Sequence, residues 1–546
     1  MSSKIMIVDK TRAALLEAIK RTGPSAMLLL MLGLYSNPAF SQDDDFWKSF
    51  REARQEMLDD FEKYRKTALM DYDNYLRSEW KKFKLCKADK RPNIPKPKEH
   101  PVCTNYILPE VDIVVEAKKP VSPVVPRPTI EQVKLPKQML DLDAKSKQEI
   151  PDIEYTGSGI EQPLMPPVER IPIMPALPNV PFVHVPASKQ IVRIDYFGES
   201  IEMQKVSKLP SMVIESTEDV AAFWKMLKSS DLKEVTQAFA TESRNMGLSD
   251  WASAMLVEKY IDEVMPKASR NEKILAVQYV LANCGYNVLL AMGGSQVSML
   301  VPYSERVFEK TYIYMDGKRY YVYPDLENDG SIASCELPKD VELGKDMELR
   351  FVGKTMIGME TKPFHVSAAG ITVSGEVPVG IMPILDHYPV VDIPTVASSV
   401  VDRGIRNQVV EQIRSQVQGL SEQEAANRIL HFVQKGFQYA TDEEQFNREK
   451  YFYFEETLFY PKCDCEDRAI FYAYLVHEVL GLDVHLIQYP GHECTAVAFR
   501  EPLGYGTFYE YGGKRYYICD PTYIGAKVGR CMPSYVKESP QIEVWY

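Results

Sequence analysis

Two stretches of this chain repeat one another at a fixed interval, and that interval limits the fold more than any other feature. Asn271–Leu290 (NEKILAVQYVLANCGYNVLL) parallels Asp467–Leu486 (DRAIFYAYLVHEVLGLDVHL), and further on Gly317-Lys-Arg-Tyr-Tyr-Val322 parallels Gly513-Lys-Arg-Tyr-Tyr-Ile518. From Gly285 to Gly481 and from Gly317 to Gly513 the offset is the same 196 positions. Each stretch starts as an apolar run with helical spacing, meets a glycine suited to a helix C-cap, and continues into strand patterns. The expected class is α+β, with a domain at 401–546 and a copy of it at 190–335. An unrelated α/β domain is the other reading of the first stretch.

The second stretch carries the chemistry. Its helix is expected to begin at Cys465, with Ile470–Leu480 apolar and Gly481 ending it. Unsatisfied N–H groups and the positive dipole end at a helix N-terminus favour thiolate over thiol, which predicts a nucleophilic Cys465. Glu466 and Asp467 fall in the first turn, where carboxylates suit the dipole. A strand over Asp483–Tyr489 and a Pro-Gly turn lead to a second strand with His492 at its mouth. A hairpin follows, Gly506–Tyr511 and Lys514–Asp520 turned at Gly512-Gly513, and Asp520-Pro521-Thr522 closes it. A Cys on a helix end, a His on one strand and an Asp on the next can act as nucleophile, base and orienting carboxylate. Two other readings use the same residues: a buried core cysteine, or a zinc site drawn from Cys463, Cys465, His492, Cys494 and Cys519. Cys-x-Cys at a helix start is tighter than the usual ligand spacing, which counts against zinc. His477 and His485 fit a helix face and a strand.

These residues resemble the transglutaminase-like (papain-like) superfamily, close to the bacterial transglutaminase-like cysteine proteinases. The resemblance is carried by Glu456-Thr457-Leu458, Asp464-Cys465-Glu466-Asp467 with Ala469, Gly491-His492, and Asp520-Pro521-Thr522. It implies Cys465 as nucleophile, His492 as general base and acid, Asp520 as the residue that holds the imidazole, and neither cofactor nor metal. It also implies a protein or peptide substrate whose peptide or isopeptide bond is hydrolysed through a thioester. Two positions depart from the family pattern. Cys463 stands where glycine is usual, which bears on the turn entering the helix, and His492 is followed by Glu493-Cys494. Oxidation joining Cys463 to Cys494 is one device these cysteines allow. Candidate oxyanion donors are the Cys465 backbone N–H and the side chains of Gln445 and Asn447. Shifted back by the repeat offset, the three catalytic positions fall on Ser269, Gln296 and Pro324, with Asp325 adjacent, so the 190–335 copy is expected to be degenerate. Such a chain also admits a non-catalytic reading, an envelope scaffold or binding protein built on two modules.

The rest of the chain frames these units. At 546 residues several domains are expected. A net charge of −12 without a clustered basic patch excludes a nucleic-acid partner. Residues 1–41 read as a secretory signal, with Lys10, Arg12, Lys20 and Arg21 before the apolar Ala26–Leu34 and with Ala39 and Ser41 at a cleavage point after Ser41; an uncleaved anchor is the alternative. A periplasmic or secreted protein follows. There the nine cysteines can oxidise, with Cys86–Cys103 a candidate pair and one cysteine left over. Across 42–88 apolar residues recur at helical spacing as far as Phe83, predicting one long amphipathic helix. The 89–189 stretch is rich in proline and reads as a linker or strap along other domains; it and the helix are candidate surfaces for a protein partner. Residues 336–400 read as β-rich, including Glu348–Val352, and Ser398–Gln438 as helical with a cap at Ser421 and Glu424.

Overall fold

The computed structural model describes residues 72–78, 80–91, 96–97, 100–103, 112–119, 190–327, 330–335 and 344–543, apart from 354, 356 and 359. The expected signal segment, the part of the expected long helix before Tyr72 and most of the proline-rich stretch lie outside these residues. The described chain mixes α and β structure around two six-stranded sheets. None of its helices is long and apolar enough to cross a membrane.

The two sheets share an order. The first runs, edge to edge, through Trp80–Lys84, Ser331–Cys335, Leu289–Gly293, Gln296–Val301, Lys318–Tyr323 and Tyr312–Met315. The second runs through Gln541–Glu543, Asp483–Tyr489, His492–Ala498, Lys514–Cys519, Gly506–Tyr511 and Asp112–Val114. Five consecutive strands correspond, and the strands beginning at Gln296 and Lys318 precede those at His492 and Lys514 by the same 196 positions. In each unit a helix packs on the central strands, Arg270–Cys284 on the first sheet and Cys465–Leu480 on the second. Gly285 and Gly481 end these helices in the left-handed region, where glycine adds no Cβ clash.

The helix Cys465–Leu480 is buried on every face from Cys465 to Val476, as the apolar run from Ala469 onward requires, and its first turn takes Glu466, Asp467 and Arg468 into the interior with it. The sheet covers one side, and the helices Arg403–Val417, Glu422–Gly436 and Phe454–Phe459 cover the others. Ser421 and Glu424 form the expected capping box. Arg406 and Glu455, both buried, lock two of the covering helices together through Nε–Oε1 at 2.8 Å and Nη2–Oε2 at 3.1 Å. Glu455 also accepts from the Asp402 N–H at 2.9 Å, and the guanidinium lies over Phe454 and Tyr474.

Three expectations are corrected. The helix predicted to run through Phe83 ends at Ser78, and Trp80–Lys84 instead pairs antiparallel with Ser331–Cys335. The unpaired sheet edge offers backbone partners that local helical spacing cannot outweigh. Among the described residues of 336–400, Thr361–Ala368 and Ile371–Pro378 form a hairpin; within Glu348–Val352 only Val352 makes a bridge, to Val400, and Ile381–Asp386 and Ile393–Ser398 are short helices. Asp392 caps the second of these through the Thr395 N–H, with Pro394 in its first turn. No Cys86–Cys103 disulfide forms. The Cys86 N–H bonds Tyr312 O at the first sheet, and the Cys103 N–H bonds Ile524 O beside the second, each at 2.8 Å.

Removing one partner of the buried Arg406–Glu455 pair leaves the other charge uncompensated. Arg406→Met is expected to cost about 3–5 kcal/mol in denaturant unfolding, and Arg406→Met/Glu455→Met to recover most of it. Equal losses in the single and double variants would contradict this account.

Candidate active site

Local chemistry shapes the entry of the helix. Asp464 occupies the N-cap and Asp467 the third position, and the Asp464 N–H donates to Asp467 Oδ2 at 3.2 Å. Cys465 is therefore the first helical residue, with 0% exposure. Before it, Lys462-Cys463 pairs parallel with Gln438-Tyr439. Cys463 is thus in a strand and is not among the residues with positive φ, so its backbone needs no glycine. Its buried thiol, pushed up to about 11 chiefly by burial, lies near Arg468 and Asp467. Cys494 is near Asp520, Cys531 and Cys519 instead, and no disulfide joins Cys463 to Cys494.

His492 opens its strand immediately after the Pro490-Gly491 turn, with Tyr489 opposite. Its Nε2 meets Asp520 Oδ2 at 2.8 Å, and the ring has 0% exposure. Asp520 serves the turn and the imidazole with separate oxygens: Oδ1 accepts from the Thr522 and Tyr523 N–H groups at 2.9 and 3.1 Å. Gln434 Nε2 holds the Asp520 carbonyl at 3.0 Å, so a covering helix fixes the loop. Nδ1 of His492, also buried, has no hydrogen-bond partner among the described residues. The ring stacks on Tyr535, centroids 5.4 Å apart. The backbone N–H of Glu493, next in sequence, reaches the Cys465 sulfur. The three residues named from sequence are thereby brought to one buried locus.

The electrostatics differ from the dipole argument. The Cys465 thiol is raised well above its ordinary value by burial, then by Glu466 and Asp464, against a smaller opposing effect of Lys96. The thiol donates to Glu466 Oε2 at 3.1 Å. A helix dipole contributes only partial charge, and here two adjacent carboxyls and complete desolvation outweigh it. Glu493 is also buried with both carboxyl oxygens unpartnered, and burial followed by Glu543 and Glu466 raises it far above the carboxylate range.

Some residues singled out from sequence lie elsewhere. Gln445 Nε2 donates to Ala440 O at 3.3 Å, and Asn447 ends a short helix in the left-handed region. The Cys465 N–H sits at the first helical position, where no intrahelical acceptor exists. His485 stacks on Tyr516 at 3.9 Å, and His477 Nδ1 meets Leu482 O at 3.1 Å, both structural contacts. His492, Cys494 and Asp520 bring ligand atoms within 4.8 Å of one another and are the trio able to hold a soft metal, whereas the wider set of Cys463, Cys465 and Cys519 does not converge there. The 2.8 Å His–Asp contact is by itself a complete hydrogen bond. In the first unit Ser269 is a helix cap, Gln296 Oε1 accepts from the Glu327 N–H, and Pro324 follows a cis peptide.

Sequence reasoning missed Lys96, His100, Tyr439 and Tyr535. Lys96 ion-pairs with Asp464 across 368 positions, and no local pattern marks it. His100 stacks on Tyr439, accepts from Arg468 Nη1 at 2.7 Å, and is held down to about 4 by burial and by that guanidinium. No family model matches the chain, and no curated protein matches it either.

Glu466 is the nearest group that raises the thiol. Glu466→Gln is expected to lower the pH at which iodoacetamide labels Cys465 by about one unit, a difference of ~1.4 kcal/mol, read by site-resolved mass spectrometry. An unchanged or higher labelling pH would show that Glu466 does not set the thiol's ionisation.

Proposed function

We propose that this protein is a cysteine hydrolase with a transglutaminase-like catalytic domain at 401–546, preceded by a degenerate copy at 190–335. The His492–Asp520 pair carries this reading. One ring nitrogen is held by a carboxylate that is itself pinned, and the other has no partner, on the strand whose next N–H contacts the Cys465 sulfur. That is the disposition of a base oriented for a neighbouring nucleophile.

In the reaction Cys465 Sγ attacks an amide carbonyl while His492 Nδ1 takes the thiol proton. The raised thiol pKa favours transfer during attack over a standing thiolate. The oxyanion meets the Cys465 N–H at the helix start. As the tetrahedral centre collapses, the C–N bond breaks and His492 returns its proton to the leaving amine. Water, deprotonated by His492, then attacks the thioester and releases the carboxylic acid and the thiol. The substrate class is a protein or peptide in the envelope or outside the cell, in keeping with the basic and apolar N-terminal pattern.

The complete burial of Cys465 and His492 favours a second reading, a non-catalytic scaffold of two modules. Labelling separates the two. An electrophilic cysteine-protease inhibitor applied to the folded chain is expected to modify Cys465 selectively, with at least a tenfold slower reaction in His492→Ala. Uniform, His-independent labelling of the cysteines would leave the scaffold.

A further inference from the structure

Four carboxyls converge at the start of the helix Cys465–Leu480, and the group they converge on comes from the proline-rich segment. Lys96 Nζ lies 2.6 Å from Asp464 Oδ2, 2.8 Å from Asp442 Oδ2 and 3.0 Å from Glu449 Oε1, and it contacts Glu466 Oε1 as well. Its side chain is 4% exposed. Asp442, Asp464 and Glu466 are fully buried, and among the described residues no other cation forms an ion pair with them. Asp464 and Glu466 flank Cys465 in sequence, and Glu466 accepts the thiol hydrogen bond.

The segment that carries Lys96 touches both the helix entry and the turn beyond Asp520. Pro97 O accepts from Tyr439 Oη at 2.7 Å, and His100 lies on the Tyr439 ring and meets Arg468, three residues past Cys465. Pro101 and Cys103 pair through their backbone with Ile524, just beyond Asp520-Pro521-Thr522. A removable cover over the site would satisfy these last contacts. It would not supply the one ammonium the acid cluster needs, because its departure would leave that cluster desolvated without a counter-charge.

We propose that Lys96 is the positioning residue of the nucleophile: by gathering the Asp464 and Glu466 carboxyls on either side of Cys465 it sets the helix entry and the direction of the thiol, which makes the proline-rich strap a working part of the site. The inference rests on the cysteine-hydrolase reading. The charge pattern agrees with it. Burial raises Asp464 well above the carboxylate range and Asp442 to about 6, whereas at Glu466 burial is outweighed by the Lys96 ammonium together with hydrogen bonds to Asp464, Lys96 and Cys465, and the carboxyl is held below its usual value.

The test compares iodoacetamide labelling rates of Cys465 in the full chain with and without His492→Ala, in wild-type, Lys96→Arg and Lys96→Met backgrounds, beside thermal melts. The ratio of the paired rates reports how well the imidazole engages the thiol. A ratio of at least tenfold is expected in the wild type, near one in Lys96→Met, and largely restored in Lys96→Arg. Should Lys96→Met not fold, Lys96→Met/Glu466→Gln removes a buried charge along with the ammonium, and its ratio is likewise expected near one. A tenfold ratio that persists in a folded Met background overturns the positioning role alone. A wild-type ratio near one sinks the hydrolase reading and this inference with it.

Discussion

Desolvated acid at one helix entry is the constraint on which the C-terminal unit depends. Asp442, Asp464, Glu466 and Asp467 are all fully buried, an arrangement that costs several kcal/mol for each uncompensated ion. It persists because backbone donors and protonation share the load with a single ammonium. The Phe452 N–H serves Asp467 at 2.8 Å and the Lys450 N–H serves Asp442 at 2.8 Å, while Lys96 takes the remaining charge. Burial and then the same acid cluster raise the Cys465 thiol, so the ionisation of the proposed nucleophile and the docking of the strap are parts of one electrostatic balance.

The two sheets show what that balance adds. Both units present a helix start above the same strand order. In the first, Ser269 and Glu272 close a capping box, and Glu272 also accepts from the Met212 N–H at 3.0 Å, so its polar groups are satisfied without a distant cation. In the second, the cap is an aspartate beside a cysteine and a glutamate, and a lysine from another segment completes it. Local rules are met where no chemistry is proposed and broken where it is, the usual mark of a site that trades stability for function.

Much of the C-terminal unit was legible because its signals are local. Gly481 as C-cap, the helix beginning at Cys465, the strand pairs and the Ser421–Glu424 box all follow from residue type and short spacing. The misses have a common cause. Trp80–Lys84 became a strand because a sheet edge was available, and Glu348–Val352 did not because only Val352 in it finds a bridging partner, Val400. Glu493 was visible as a departure beside His492, but its burial, which raises it far above the carboxylate range, was not.

The sequence by itself determined which residues could supply a thiol, an imidazole and a carboxylate, and in what order along helix and strands, because backbone propensity and capping act over a few residues. It also determined the Asp520 turn, whose Oδ1 is held by the next two N–H groups. Only the tertiary structure decided that Asp520 Oδ2 faces His492, that the thiol is buried among acids, and that Lys96 is their counter-ion. Desolvation and long-range charge pairing depend on what surrounds a group in space, and residue spacing along the chain carries no record of it.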